Sequence, residues 1–137
     1  MPALDQCHER VVHAFLRDGW TINRQPFRIV TPLNPLFIDL ELSRPVATDQ
    51  QTVLLIEIKC FPDGESTMND LYSAIGQYLV YRTVLKGFAV VPDLYLAIPT
   101  KAYYGIFQPL LAPLIAELAM KLVLIDMEKE RIEQWIT

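Results

Sequence analysis

The stretch VLLIEIKCF, from Val53 to Phe61, constrains the fold more than any other part of the chain. It is almost wholly apolar, which is typical of an interior strand covered on both faces of a sheet. Because alternate residues of a strand point to the same face, Glu57 and Lys59 share one face. A buried charge needs a partner. We therefore predict an interior strand whose two charges are paired with each other or with a third group.

The apolar patterns of the whole chain predict an α/β (α+β) fold in the order α-β-β-β-α-β-α-β-β, as a single domain over residues 1–137. The predicted helices are Leu4–Asp18, Met68–Leu85 and Tyr103–Leu118, the last with possible interruptions at Pro109 and Pro113. The predicted strands are Trp20–Thr31, Leu36–Leu42, Thr52–Phe61, Leu94–Ile98, Lys121–Asp126 and Arg131–Ile136, with RPVATDQQ as a loop. We expect a mixed sheet flanked by helices, antiparallel at first, joined later by crossovers and closed by a hairpin.

Composition excludes several classes of function. The net charge is −4 and no basic stripe is present, which argues against a protein that binds DNA tightly on its own. Contact with DNA would need a local patch or a partner. No apolar run approaches the roughly 18 residues of a membrane helix, so we expect no membrane association. Cys7 and Cys60 lie far apart in the sequence. The chain opens with the polar segment MPALDQCHER, so we expect no signal peptide. This favours a reduced cytoplasmic protein, with Cys7 in the core and Cys60 after the strand without a partner histidine.

The strand Leu36–Leu42 places a second carboxylate near Glu57. If the apolar faces of this strand and of Thr52–Phe61 coincide, the register is restricted to one parity. The pairs are then Ile38 with Ile58, Leu40 with Ile56 and Leu42 with Leu54, which sets Asp39 opposite Glu57. Two facing carboxylates repel each other, and burial worsens the repulsion. A divalent cation with oxygen ligands, Mg²⁺ or Mn²⁺, would suit the pair. Lys59 could then hold an activated water or a phosphate oxygen. The alternative is a structural Glu57–Lys59 ion pair.

Two helices supply further candidates. In DLYSAIGQYLVYR, helical spacing places Gln77 and Tyr81 on one face with Asp70 and Ala74. An amide and a hydroxyl four residues apart can together contact a phosphate or a metal-bound water. Alternatively, this face packs against the core or another subunit. Glu9, beside the apolar stripe of the first helix, could reach the sheet edge as a further metal ligand, or it is simply solvated.

The set Asp39, Glu57-x-Lys59 and Gln77-x-x-x-Tyr81 resembles the PD-(D/E)XK nuclease superfamily. One departure is that Ile38, and not a proline, precedes Asp39. The wider sequence is similar to the XisH family, the fdxN element excision controlling factors of cyanobacteria. The blocks that carry this resemblance are MPALDQCHERVVHAFLRDGWTI, VLLIEIKCF, DLYSAIGQYLVYR, LYLAIP and the terminal QWI.

The resemblance implies a restriction-endonuclease-like fold and a role, with the partner XisI, in controlling excision of a DNA element during heterocyst differentiation. Two functions remain open. One is a Mg²⁺-dependent endonuclease-like protein acting on DNA, with Asp39 and Glu57 at the metal and Lys59, Gln77 and Tyr81 around the phosphate. The other is a non-catalytic regulatory subunit that keeps the nuclease fold and works by binding XisI.

Aromatic residues predict an assembly. The segments QYLVYR and KAYYGIF, with Trp135, carry more aromatic surface than one small core readily covers. We therefore expect a homodimer, or a complex with XisI, held partly by these rings. The alternative is that Tyr78, Tyr81, Tyr103 and Tyr104 pack within the monomer.

Overall fold

A six-stranded mixed sheet forms the centre of the fold in a computed structural model that describes residues 7–62 and 67–137. A separate two-stranded sheet lies beside it. The strands are β1 Thr21–Arg24, β2 Phe27–Ile29, β3 Leu36–Ile38, β4 Leu40–Ala47, β5 Gln50–Ile58, β6 Asp93–Pro99, β7 Leu122–Asp126 and β8 Arg131–Ile136.

The large sheet has the order β1-β4-β5-β6-β7-β8. Its first three strands are antiparallel, β5, β6 and β7 are parallel, and β8 returns antiparallel to β7. The parallel strands are joined by helical crossovers, as parallel neighbours require. The predicted mixed sheet flanked by helices is therefore confirmed, and so is the terminal hairpin.

Three helical segments flank the sheet. The first is α1, His8–Arg17, and the second is α2, Thr67–Leu85. The third is continuous and comprises α3 Thr100–Ala102, a π-helical segment Tyr103–Phe107 and α4 Gln108–Leu118. It passes through both prolines, with Pro109 near the junction of the π-helical segment and α4 and Pro113 inside α4. Leu4, where we predicted the first helix to begin, lies outside the described residues.

The core has two layers, one on each face of the sheet. On one face, α2, α4 and the β2–β3 sheet pack against β5 through residues such as Leu55. On the other, α1 packs with Trp20 over Leu54, Ile56 and Ile58. Strand β5 is thus covered on both sides, as its apolar sequence predicted.

Two predicted strands are each divided in the structure. The segment Trp20–Thr31 forms β1 and β2 in different sheets, with a cis peptide bond between Gln25 and Pro26. A proline provides no N–H for a sheet ladder, which favours a break there. The segment Leu36–Leu42 is broken at Asp39, which lies in a bend between β3 and β4.

The break at Asp39 corrects part of the predicted register. Leu40 pairs with Ile56 and Leu42 with Leu54, as expected. Ile38, however, pairs with Phe27 in the small sheet and not with Ile58. The predicted loop RPVATDQQ is also wrong for most of its length, since β4 and β5 extend through it to a tight turn. Asp49, at a φ of 65°, occupies that turn.

The cysteines are joined in a disulfide between Cys7 and Cys60, with their Cα atoms 5.7 Å apart. The expectation of two reduced, unpaired thiols is therefore wrong. Cys7 immediately precedes α1, and Cys60 follows β5, so the bond ties the helix to the end of the central strand. Their sequence separation of 53 residues concealed this proximity. No helix within the described residues is long and apolar enough to cross a membrane.

Candidate functional site

Two hydrogen bonds hold Asp39 against the carboxyl end of β5, beside Glu57. The backbone N–H of Asp39 donates to Glu57 Oε1 at 3.3 Å, and the N–H of Ile58 donates to Asp39 Oδ2 at 2.8 Å. The ladder between β4 and β5 explains the placement, since its pair Glu41–Leu55 is two residues away. The bend at Asp39 then lets the side chain reach the β5 backbone.

Burial dominates the electrostatics of this pair. Glu57 is only 5% exposed. Its pKa is raised from 4.5 to about 9, first by burial and then by the negative charge of Asp39, while the charge of Lys59 lowers it. Glu57 therefore holds its proton at neutral pH. A cation that displaces this proton would relieve the repulsion.

Tyr81 and Gln77 extend the site along α2. Burial raises the pKa of Tyr81 to about 12, with further contributions from the charges of Glu57 and Asp39, so its hydroxyl stays protonated. One helical turn earlier, Gln77 has a buried Oε1 atom that finds no hydrogen-bond partner among the described residues. Buried acceptors are normally satisfied, and an orphaned one needs an explanation. A ligand or a bound water that donates a hydrogen bond would satisfy Gln77.

Lys59 lies just beyond β5, half-buried. Its backbone N–H donates to Ala97 O at 3.0 Å, which continues the ladder to β6. Within the described residues Lys59 makes no ion pair with Glu57. Its effect on the pKa of Glu57 nevertheless shows that its positive charge acts at the carboxylate pair. Because the amino group of Lys59 makes no ion pair with any described residue, it is available to an anionic ligand.

Glu9 is not brought into the site. It is exposed in the first turn of α1. Across residues 7–62 and 67–137, no group of three or more His, Cys, Asp or Glu side chains could hold a metal ion. The donor set at the end of β5 is therefore the two carboxylates of Asp39 and Glu57. These hard oxygen donors fit Mg²⁺, which accepts one or two protein carboxylates and keeps several waters.

Lys101 is a neighbouring cation that we did not predict from the sequence. A cavity of about 340 Å³ adjoins the end of β5 and is lined by Lys101 and by Cys60, Phe61, Pro62, Pro99, Ala102, Gly105 and Ile106. The available signal was the position of Lys101 just after β6, because the carboxyl ends of parallel neighbours share one edge. The cavity also borders the π-helical segment, a feature often found at functional sites.

The chain matches the family model described as XisH protein over residues 1–133. It belongs to the XisH family. Two solved structures are similar over nearly their whole length. An XisH family protein from Nostoc punctiforme is 30% identical, with a TM-score of 0.85, 97% of this chain covered and 100% of that one. An fdxN element excision controlling factor protein from Anabaena variabilis is 31% identical, with a TM-score of 0.84, 95% of this chain covered and 97% of that one.

No curated protein matches the chain. Membership of the XisH family therefore identifies the chain as a relative of proteins named excision controlling factors. The chemistry of its site has to be argued from its own residues.

Proposed function

We propose that this XisH protein acts on DNA in the controlled excision of a DNA element, as a Mg²⁺-dependent endonuclease-like protein. One observation carries the proposal. Half-buried Asp39 and buried Glu57 are linked by hydrogen bonds through the β5 backbone, beside Lys59, which makes no ion pair within residues 7–62 and 67–137. Two carboxylates can hold a metal ion that assists phosphodiester hydrolysis, and the positive charge of a neighbouring lysine can stabilise the phosphate.

Each residue has a distinct role in this proposal. Asp39 and Glu57 would hold Mg²⁺, which when bound neutralises the scissile phosphate and lowers the pKa of a coordinated water. Lys59 would place its charge against a phosphate oxygen. Tyr81 would donate a hydrogen bond from its protonated hydroxyl. Gln77 would accept one at its orphaned Oε1.

The assignment to the PD-(D/E)XK superfamily belongs to the same proposal. Its support is the order of the three elements that contribute residues. Asp39 lies before β4, Glu57 and Lys59 at the end of β5, and Gln77 and Tyr81 on the following helix. The departure at Ile38 is compatible with the site, because Ile38 is buried in the core and makes no contribution as a ligand.

Plasmid nicking tests the proposal. Purified protein is incubated with supercoiled plasmid and Mg²⁺, with and without XisI, and the relaxed product is quantified. We expect wild-type nicking to be lost in Glu57→Gln and Lys59→Ala. Glu128→Gln, which changes an exposed glutamate in the β7–β8 turn, is the matched control and should cleave normally. Equal nicking by wild type and Glu57→Gln would disprove a catalytic role for the pair.

A second function is favoured by the charge balance. A nuclease acting alone benefits from a basic surface, whereas this chain carries a net charge of −4. We therefore keep as the alternative a non-catalytic subunit that binds XisI. Absence of nicking under all conditions, together with XisI binding that survives Glu57→Gln, would establish that alternative.

A further inference from the structure

The β2–β3 sheet is a small antiparallel ribbon with two chemically different faces. Phe27, Ile29 and Ile38 are buried against the core. The opposite face carries Arg28, which is exposed and lies directly across from half-buried Phe37. A ribbon that packs one face on the core leaves its other face for solvent or for a partner.

The connection between the two strands presents apolar side chains to solvent. Val30 is 78% exposed, and Leu33, in the sequence TPLNP, is 91% exposed. The connection is ordered by its own hydrogen bonds. The Thr31 hydroxyl donates to Asn34 O at 2.6 Å and accepts from the N–H of Leu33 at 3.2 Å. Pro32 lies directly before Leu33 and Pro35 lies two residues after it. These prolines and the hydrogen bonds hold Leu33 outward at the tip of the connection. Clustered exposed apolar groups commonly mark interaction sites.

The charge of this region is opposite to that of the whole chain. Residues 19–38 contain two arginines and no acidic residue, although the net charge of the chain is −4. Arg24 is engaged with Glu41 at 3.4 Å. Arg28 makes no ion pair or hydrogen bond with any part of the chain that the structure describes. The ribbon therefore offers a free cation and an apolar tip, with no carboxylate of its own.

We infer that the β2–β3 ribbon is a DNA-contacting arm, in which Arg28 binds a backbone phosphate and Leu33 inserts between base pairs. This inference rests on the proposed function, because β3 leads directly into Asp39 of the candidate site. Ribbons of two strands enter DNA grooves, and apolar side chains such as leucine act as wedges that unstack a base step. A polyanion is the partner that a locally cationic arm on an acidic protein suits best.

Binding is measured by fluorescence anisotropy on a 30-base-pair duplex in Ca²⁺, at several salt concentrations. Leu33→Ser should weaken binding at least about fivefold, because the wedge is lost. Arg28→Ala should make the slope of log K against log salt shallower by about 0.9, since one phosphate contact is lost. A 2-aminopurine duplex should brighten with wild type and not with Leu33→Ser.

Matched controls separate the arm from general surface effects. Leu110→Ser alters an exposed leucine on α4 (59% exposed), and Lys129→Ala removes an exposed cation in the β7–β8 turn. Both should bind as wild type does, and all four variants should melt at the wild-type temperature.

The outcomes distinguish the arm from the function on which it rests. Wild-type DNA binding that is unaffected by Leu33→Ser and Arg28→Ala overturns the arm and leaves the proposed function standing. If these variants lose only XisI binding, the ribbon is a protein interface and the inference is wrong. If the wild type binds no duplex with or without XisI, both proposals fail.

Discussion

At the scale of single residues, the state of Glu57 governs what the site can do. Its burial and the neighbouring Asp39 raise its pKa from 4.5 to about 9. In a chain without a bound cation, Glu57 is therefore protonated at neutral pH. Metal binding must displace this proton, so metal affinity should increase with pH.

The raised pKa predicts how stability depends on pH without metal. A carboxyl group whose pKa is higher in the folded state takes up protons on folding, so it stabilises the fold at low pH. This contribution falls as the pH rises from about 4.5 towards 9. Glu57→Gln should abolish the fall and should stabilise the protein at pH 8 by about 2 kcal/mol. Urea unfolding at pH 5 and pH 8 in EDTA measures the fall in stability of the wild type and the stabilisation of the variant. Parallel pH profiles for wild type and variant would contradict the raised pKa of Glu57.

Added metal should stabilise the folded chain. A ligand that binds only the native state raises the unfolding free energy by mass action, by about 2.7 kcal/mol at one hundred times its dissociation constant. We expect millimolar Mn²⁺ or Mg²⁺ to raise the melting temperature of wild type and of Glu128→Gln. Glu57→Gln should not respond. A wild type that is indifferent to millimolar Mn²⁺ would argue against a metal site.

At the scale of the elements, the end of β5 is where separate parts of the chain meet. Asp39 lies in the bend before β4. Cys7, at the start of α1, is bonded to Cys60. Glu57, which accepts a hydrogen bond from Asp39, lies two residues before Lys59 in sequence. The disulfide-bonded Cys60 lies directly after Lys59. The orientation of this short segment therefore depends on its neighbours in space.

The disulfide should contribute substantially to stability. Closing a loop over a separation of 53 residues removes enough unfolded-state entropy for about 4 kcal/mol in the chain-entropy model. Reduction by dithiothreitol, or Cys60→Ser, should lower the unfolding free energy by an amount of that order. Urea titrations of oxidised and reduced protein measure the difference. In the double variant Cys7→Ser/Cys60→Ser, dithiothreitol should have no effect, and an equal response there would exclude the disulfide as the cause.

At the scale of the whole molecule, the aromatic residues divide between core and surface. The buried Tyr78 hydroxyl donates to Leu94 O at 3.2 Å and accepts from the N–H of Lys121 at 3.0 Å. Trp135 packs against Phe15, Trp20 and Tyr95 of its own chain. These rings belong to the monomer. Tyr104, at 51% exposure, and Tyr72, at 65%, are the tyrosines still available to a partner.

We still expect a homodimer, now through the exposed tyrosines. Sedimentation velocity at micromolar concentration should give about twice the chain mass of 15.7 kDa. Tyr72→Ser or Tyr104→Ser should shift the equilibrium towards monomer, since aromatic side chains are enriched in interfaces. Val90→Ser, which changes a residue that is 85% exposed beyond the end of α2, is the control. A monomer at all concentrations would leave only a complex with XisI.

Local pattern determined most of the fold. The apolar run of β5 predicted an interior strand because only burial on both faces removes polar residues from both sides of a strand. The spacing in α2 predicted Met68–Leu85, and the structure shows Thr67–Leu85. Parity of the apolar faces also predicted the pairs Leu40–Ile56 and Leu42–Leu54. That parity predicted Asp39 close to Glu57, and the bend at Asp39 completes the contact through hydrogen bonds.

Only the tertiary structure decided the bend at Asp39, the separate β2–β3 ribbon and the Cys7–Cys60 bond. The physical reason is that each depends on contacts between segments distant in sequence. Ile38 is apolar and would suit pairing with Ile58, but in the structure it pairs with Phe27 of the small sheet. Cys7 and Cys60 approach because α1 packs across the sheet. The periodicity of apolar residues indicates which face of a helix or strand is buried. Which neighbour buries that face is decided only when the layers assemble.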